Sequence, residues 1–556
     1  MTASRLVAVE LGRRWTVALV RTGRRATRAF QPVADRIAIA HQDIRTADPT
    51  VAADIHVGRY VFAGRAVDAD PRSPFEVEPP SAGWARQLHG FGWLRHLRAA
   101  DHPAYREDAR RLVEDWLRLG QRAPFAWEEE VAARRLLSWL AHSPMLIDGC
   151  DAEFYQALLD AVTTHTRFLR DHIDRVPPGL ARIRVAVALL AAAVSVESFR
   201  KLVRLQVKRL DEELSRQIFP DGGHVGRNPS AILEILVDLL PVREVQAARG
   251  IPVSPVVMSA IDRMMHLLRF FRHGDGALAL FNGAGATSMS LLASVLVYDD
   301  ARSRPPGNAP HSGYQRLEAE GTIVIIDCGT PPPPGFSREA HAGCLSFEMS
   351  SGRQRLIVNC GAFPLSPEWR ELARSTAAHS TACLADRSSA TFAAGAVARM
   401  LGPVIVDGPR TVFVDRQEHE GAVAVIAGHD GYEARFGILH ERTLRLAPQG
   451  DRLDGRDRLF AEGRVAAPVP YAIRFHLHPN IRVSALEPGI VMLLAPDGES
   501  WEFHAPGHAV RIEDSVFLAD PHGARRTQQL VIEGTTPAEI RWTLVRATSA
   551  RDARRG

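Results

Sequence analysis

At 556 residues the chain is too long for one hydrophobic core, so two or three domains are expected. Hydrophobic residues make up 46% and charged residues 24%, which excludes a disordered chain and describes an ordinary folded protein. The formal charge is +4 and is carried by arginine, with lysine only at Lys201 and Lys208; forked guanidiniums suit carboxylate or phosphate partners, but no basic block or aromatic-interleaved basic stripe marks a nucleic-acid binder.

Residues 1–30 have arginines interrupting every apolar run, at Arg13, Arg14, Arg21, Arg24 and Arg25. Neither a secretory segment nor a membrane span tolerates that pattern, so the cytoplasm is the expected compartment. Short β-like runs at 6–10 and 15–20 precede a hairpin-like stretch at 56–62, and Pro71, Pro74, Pro79 and Pro80 close an N-terminal extension over 1–82.

From residue 83 to 300 the apolar period becomes helical. Trp127, Val131, Leu136, Leu137 and Leu140 form one stripe, and Phe199, Leu202, Val203, Leu210 and Leu214 another. Ile232, Leu236, Leu239 and Leu240 form a third, beside the i,i+4 pair Glu234 and Asp238, and Met258, Ile261, Met265 and Leu268 a fourth. Breaks at Pro144, 177–179, Pro241, Pro252 and Pro255 imply an antiparallel helical array or toroid.

Residues 301–310 read as a linker. Beyond it the period is two, with strands expected at 322–327, 355–358, 411–414, 423–427, 471–477, 491–494, 530–533 and 540–545, hence an antiparallel sandwich over 311–548. Cys150, Cys328, Cys344, Cys360 and Cys383 lack CxxC spacing; four fall in expected strands, where cysteine packs as a small apolar residue.

One turn concentrates chemistry. Between two helical stripes lies Pro220-Asp221-Gly222-Gly223-His224-Val225-Gly226-Arg227-Asn228-Pro229-Ser230. Paired glycines and a following proline make an irregular turn, and His224, Arg227 and Asn228 offer an imidazole, a guanidinium and an amide, the groups that hold a carboxylate and move a proton. The same side chains could equally cap backbone groups of the turn. The glycine-rich 281–285 lacks the lysine and spacing of a phosphate loop.

A set of phrases in fixed order resembles the heparinase II/III family of polysaccharide lyases. These are Leu88-His89-Gly90-Phe91-Gly92-Trp93-Leu94-Arg95, the Asp221–His224 turn, His311-Ser312-Gly313-Tyr314, His341 ahead of Leu345-Ser346-Phe347, Arg374 through His379, and Arg474-Phe475-His476-Leu477-His478. The resemblance implies an α+β multidomain chain: an incomplete α/α toroid, then a large antiparallel β-sandwich, with a cleft for acidic polysaccharide between them. It implies β-elimination, in which a uronate carboxylate is neutralised, a base removes the C5 proton and an acid assists the leaving oxygen. His224, Arg227, Asn228 and His341 are the catalytic candidates, and Arg227, Asn228 and Tyr314 the substrate-binding ones. His476 and His478, on one strand face, read as packing residues.

The departures from the family pattern point elsewhere. Its Asn-His pair has no counterpart near 175–180, and its catalytic tyrosine falls at Ser230-Ala231. Its structural zinc would map to His341, Asn359 and His379, where neutral asparagine replaces an anionic ligand; no cofactor is required. A non-catalytic polysaccharide-binding or envelope-biogenesis protein on a lyase scaffold is therefore the alternative. The resemblance implies the cell envelope or periplasm, against the cytoplasm read from residues 1–30.

Overall fold

The computed structural model describes residues 4–12, 15, 32–299, 304–363, 367–463 and 467–547. Residues 4–12 are helical, so the strand expected at 6–10 is corrected: Leu6, Ala8, Glu10 and Leu11 favour helix over the β-branched minority. The run at 15–20 lies outside the described residues except for Trp15. Helix α1 (Pro49–His56) and a hairpin of β1 (Arg59–Phe62) and β2 (Arg65–Asp68) complete the extension.

The helical domain follows as α2 (Ala82–Gly90), α3 (Leu94–Ala100), α4 (Pro103–Arg118), α5 (Glu129–Ala141) and α6 (Ser143–Ile147). It continues through α7 (Ala152–His172), α8 (Leu180–Ser195), α9 (Val203–Gln217), α10 (Pro229–Ala248), α11 (Pro255–Phe270) and α12 (Met289–Leu296). The starts are set locally. Ser81, Asp151, Asn228 and Ser254 each accept a first-turn backbone N–H, and prolines stand at the first positions of α4, α10 and α11. Helix α8 is buried at every residue from Ile183 to Ser195 and packs against α5, α9 and α10. Two details differ from the sequence reading. Pro241 lies inside α10 rather than ending it, because burial on several sides holds the helix together despite the lost N–H. Met258 is largely exposed, and Val257 and Met264 take its place in the core.

The N-terminal extension closes the ring. Ala38 N–H bonds Ser195 O at 2.8 Å; further on, Arg95 Nε donates to Thr46 O (3.0 Å) and Asp48 N–H to His96 Nδ1 (2.9 Å) from the α3 side. On the other side Arg45 reaches Asp238 of α10 (2.5 Å) and Thr46 reaches Ser290 of α12 (2.7 Å).

The remaining strands are β3 (Asn308–Ala309), β4 (Tyr314–Ala319), β5 (Thr322–Asp327), β6 (Phe347–Ser351), β7 (Gln354–Val358), β8 (Ala382–Leu384), β9 (Thr391–Phe392) and β10 (Ile405–Asp407). Then come β11 (Val412–His419), β12 (Ala422–His429), β13 (Leu439–Leu446), β14 (Arg452–Phe460), β15 (Pro470–Leu477), β16 (Arg482–Glu487) and β17 (Ile490–Leu494). The last are β18 (Ser500–His504), β19 (Arg511–Phe517), β20 (Arg525–Thr535) and β21 (Ala538–Arg546). One sheet runs β19-β20-β15-β7-β6-β5-β4-β3, with β8 also on β15; the other runs β11-β12-β13-β14-β21-β18-β17-β16, and all pairs are antiparallel. The α-helical segments among the described residues beyond 320, at Pro367–Ala373, Gly395–Leu401 and Glu433–Phe436, are short. Only Cys383 of the sandwich cysteines lies within a strand; Cys328, Cys344 and Cys360 sit at strand ends or turns, yet all four are buried.

Inside the sandwich Phe347, Phe475 and Phe503 surround Trp542. One charged group is embedded beside them. Asp457 accepts from Arg442 Nε and His440 Nε2 (both 2.8 Å) and from Trp542 Nε1 (2.9 Å), while Arg442 Nη1 donates to Leu345 O and Ser380 O. Burial alone would raise the Asp457 carboxyl; Arg442 and His440 hold it far below the carboxylate range instead. Asp457→Ala would strand the guanidinium in the core, and chemical denaturation should show a loss of about 3–5 kcal/mol.

Candidate functional site

The glycine turn sits where α9 ends and α10 begins, pressed against the sandwich. Gly222 has φ +93 and a Cβ there would enter the Arg263 carbonyl, while one on Gly223 would enter the Ser312 hydroxyl. That close approach requires glycine. Asp221 then bonds the sandwich directly, accepting from Ser312 N (2.6 Å) and Ser312 Oγ (2.7 Å).

Arg227, at φ +59, crosses the interface. Its Nε donates to Ser312 O (2.8 Å), Nη1 to Gly329 O (3.2 Å) and Thr330 O (3.1 Å), and Nη2 to Gly313 O (3.2 Å) and to Asp327 Oδ1. Its guanidinium lies 4.8 Å from the Tyr314 ring centre. Burial opposes its charge, but Asp327 more than compensates and its pKa is raised. Every nitrogen of the fork faces a protein oxygen. The guanidinium expected to hold a carboxylate from substrate spans the two domains and meets one from Asp327 instead.

The neighbouring candidates are engaged in the same way. Tyr314 is buried, donates its hydroxyl to Arg227 O (2.7 Å) and accepts from Asn282 Nδ2 (2.8 Å); burial raises its phenol well above the usual range. Tyr314, expected to bind substrate, is buried at the interface between the domains. His224 accepts at Nδ1 from Gly226 N–H (3.0 Å), which fixes its proton on Nε2, facing Gln217 Oε1 at 3.1 Å. Burial pushes this imidazole down to about 4, so it is neutral, and both nitrogens of the expected base are engaged by Gln217 and Gly226. Asn228 caps α10 through its oxygen, to Ser230 N (2.8 Å), while its Nδ2 has no hydrogen-bond partner among the described residues.

His341 enters this network by its backbone, N–H to Asn282 Oδ1 (3.1 Å), and Asn282 Nδ2 also reaches Asp327 Oδ2 (3.1 Å). Asn282 lies in the glycine-rich 281–285, where the Asn-Gly dipeptide is the sequence signal for a turn and the structure gives Asn282 a left-handed φ of +49. Asp327, at the end of a strand, carried no signal of its own. His379 Nδ1 donates to Ser375 O (2.7 Å), so its Nε2 accepts from His341 Nδ1 at 3.1 Å. His341 Nε2 is left with a lone pair and no partner among the described residues, its basicity lowered by burial and by the neighbouring His379 and Arg374.

The positions to which the resemblance maps a structural zinc are His341, Asn359 and His379. The two histidines bond each other, Asn359 gives its oxygen to Ser380 N (3.0 Å) and keeps an unpartnered Nδ2, and no group of three His, Cys, Asp or Glu side chains gathers among the described residues. A stable zinc site with these ligands would lack an anionic donor. His476 bonds Ala377 O and Ser515 Oγ as an internal packing residue.

Comparison with known proteins bears on the whole chain. The sequence model of the family described as "Heparinase II/III-like, C-terminal" matches residues 301–543. "FtsZ-localized protein C" of Caulobacter vibrioides is 34% identical over 525 residues, covering 91% of this chain and 89% of that protein. This chain belongs to the heparinase II/III family. The solved structure of heparinase III superposes with a TM-score of 0.71 at 13% identity, over 97% of this chain and 90% of that one. A mutant of the heparan sulfate lyase HepC from Pedobacter heparinus gives 0.64 at 15% identity, over 98% and 91%. At such identities the likeness establishes the fold: toroid plus sandwich. No helix among the described residues is long and apolar enough to cross a membrane.

The site's histidines set a pH dependence. His224 and His379 fall to about 4, and His476 to about 3, chiefly through burial. Each therefore binds a proton more readily in the unfolded chain, whose value is near 6.5, so stability is present above that pH and is lost on acidification toward 4. Urea melts at pH 7, 6 and 5 should show falling midpoints; a flat profile would contradict the neutral, buried assignment.

Proposed function

We propose that this chain is a non-catalytic member of the heparinase II/III family, which uses the lyase scaffold for binding and works in association with FtsZ. The observation that carries this reading is Arg227, whose whole fork is directed at the sandwich's own oxygens. β-Elimination needs donors aimed at a uronate carboxylate and a base poised on the adjacent carbon. Here the turn's guanidinium serves the domain junction and its imidazole the turn itself, and the resemblance offers no counterpart for the family's Asn-His pair and tyrosine. The association with FtsZ is supported by the relative whose name records that localisation and whose similarity spans both domains. It favours a role alongside FtsZ over the envelope location implied by the lyases.

A second reading rests on two polar atoms. His341 Nε2 and Asn228 Nδ2 have no hydrogen-bond partner among the described residues; the Asn228 amide lies beside Gly283, and the His341 backbone N–H bonds Asn282 Oδ1. A residual lyase on acidic polysaccharide would use His341 as base and the Asn228 amide on the carboxylate, with no metal.

One experiment separates them. Purified protein is incubated with heparan sulfate, alginate and hyaluronan, with and without added zinc, while the ultraviolet absorbance of unsaturated uronate is followed. The non-catalytic reading expects no product above the blank, while a fluorescent fusion in cells overlaps FtsZ. Product that falls by ~10²–10⁴-fold in His341→Ala, the usual worth of a positioned base, would establish the lyase instead.

A further inference from the structure

Several exposed arginines of the helical domain are paired: Arg86 with Glu128, Arg106 with Asp101 and Asp148, and Arg118 with Asp115. One stretch is different. Arg200 and Lys201, at the end of the 3₁₀ segment Glu197–Leu202, and Arg204 and Lys208, in the first half of α9, are all exposed. None of the four forms an ion pair among the described residues. The acids nearby are taken elsewhere: Glu197 by Arg249 (2.5 Å), Asp211 by Ser254 Oγ (2.5 Å) and Glu213 by Arg182 (3.0 Å). Glu212 is exposed one turn beyond Lys208, in the weaker order for a helical pair, and does not engage it.

That arrangement is costly in the isolated chain. Like charges three and four positions apart repel on a helix surface, and here they succeed one another at Arg200, Arg204 and Lys208, with Lys201 beside them. Both lysines of the chain fall on this face, in a sequence that otherwise uses arginine. Between them Leu205 is 46% exposed, although Val203 and Leu210 of the same helix are buried in the core.

The size and surroundings of the stripe select its partner. Lys201 to Lys208 spans about 10 Å, a short track for a nucleic-acid backbone, and Phe199, the single aromatic residue between 197 and 217, is buried and offers no ring to a base. The apolar side of α9 is packed inside the domain, so one exposed leucine gives too little surface to enter a bilayer. The chain's own ends carry the wrong sign: residues 16–31 hold four arginines and no acid, and 548–556 three arginines and one aspartate. A short acidic helix does match. Carboxylates repeating every three or four positions would meet the cations in register, and one apolar residue among them would cover Leu205.

We propose that the exposed face from Arg200 to Lys208 is a docking surface for a short acidic helical segment of a partner protein. It lies at the end of α9 remote from the glycine turn, and the proposal rests on neither the lyase nor the FtsZ reading.

The test is fluorescence anisotropy of the full chain with a labelled helical peptide carrying glutamates at i, i+4 and i+7 around one leucine. Its glutamine counterpart, a short DNA duplex and phosphatidylglycerol vesicles are the comparison probes. The glutamate peptide should bind with Kd below about 100 μM at low salt and roughly tenfold more weakly in about 300 mM salt. Lys201→Gln, Arg204→Gln and Lys208→Gln together should weaken binding by roughly tenfold or more, with an unchanged melting temperature because all three side chains are exposed. Leu205→Ser should weaken it about 2–5-fold. No binding of the glutamate peptide, equal binding of the glutamine peptide, or unchanged affinity in the triple variant would overturn the assignment. So would DNA or vesicles that bind more tightly than the peptide and are released by the same three substitutions, since the face would then belong to a phosphate-bearing partner.

Discussion

The contact between Arg227 and Asp327 holds this architecture together. A charged pair at a domain boundary is stable only if the remaining donors and acceptors are satisfied, because each ion gives up its hydration. Arg227 meets that condition by placing its nitrogens on four backbone carbonyls besides the carboxylate, and Asp327 by accepting from Asn282 and Gly329 N as well. The surrounding turn follows from this need. Gly222 and Gly223 let the backbone approach α11 and Ser312, Asp221 fastens the loop to Ser312, and Tyr314 receives the guanidinium on its ring while bonding the Arg227 carbonyl. Lysine could not replace this arginine, since one ammonium cannot span carbonyls on both sides of a carboxylate.

The phrases that resemble the heparinase II/III family thus have their polar side chains directed largely inward. The Asp-Gly-Gly-His turn, the Ser-Gly-Tyr strand start and His341 all converge, as their resemblance to the family implies, but they converge as a joint. Other contacts across the boundary share the pattern: Arg316 Nη1 donates to Phe270 O and Arg272 O, and His273 meets Glu348 at 3.1 Å with both side chains fully buried. The polar groups at this junction are largely internal, which separates the fold, shared with heparinases, from the chemistry that name denotes.

Much of the architecture was legible because it rests on periodicity. The shift from a helical to an alternating pattern across 301–310 matches the change from helices to strands, and the eight expected strand cores each fall within or overlap observed strands. What failed depended on distant partners. Arg227 in a glycine turn reads the same whether it faces a cleft or a carboxylate 100 positions later, since direction is set by tertiary packing. Pro241 looked like a helix end because its missing N–H is a local fact, whereas the burial that keeps α10 continuous is not. Asp238 showed only as half of a polar pair with Glu234 on one helix face; its three arginine partners come from the extension, α5 and α8.

The most direct measurement is a double-mutant cycle on the junction, read by denaturant unfolding. If Arg227 is the interdomain tie, Arg227→Leu alone should cost about 3–5 kcal/mol, because Asp327 is left buried and unpaired, while Arg227→Leu with Asp327→Leu should recover much of that loss. An Arg227→Leu protein as stable as the parent would contradict the account and return the guanidinium to a ligand-facing role.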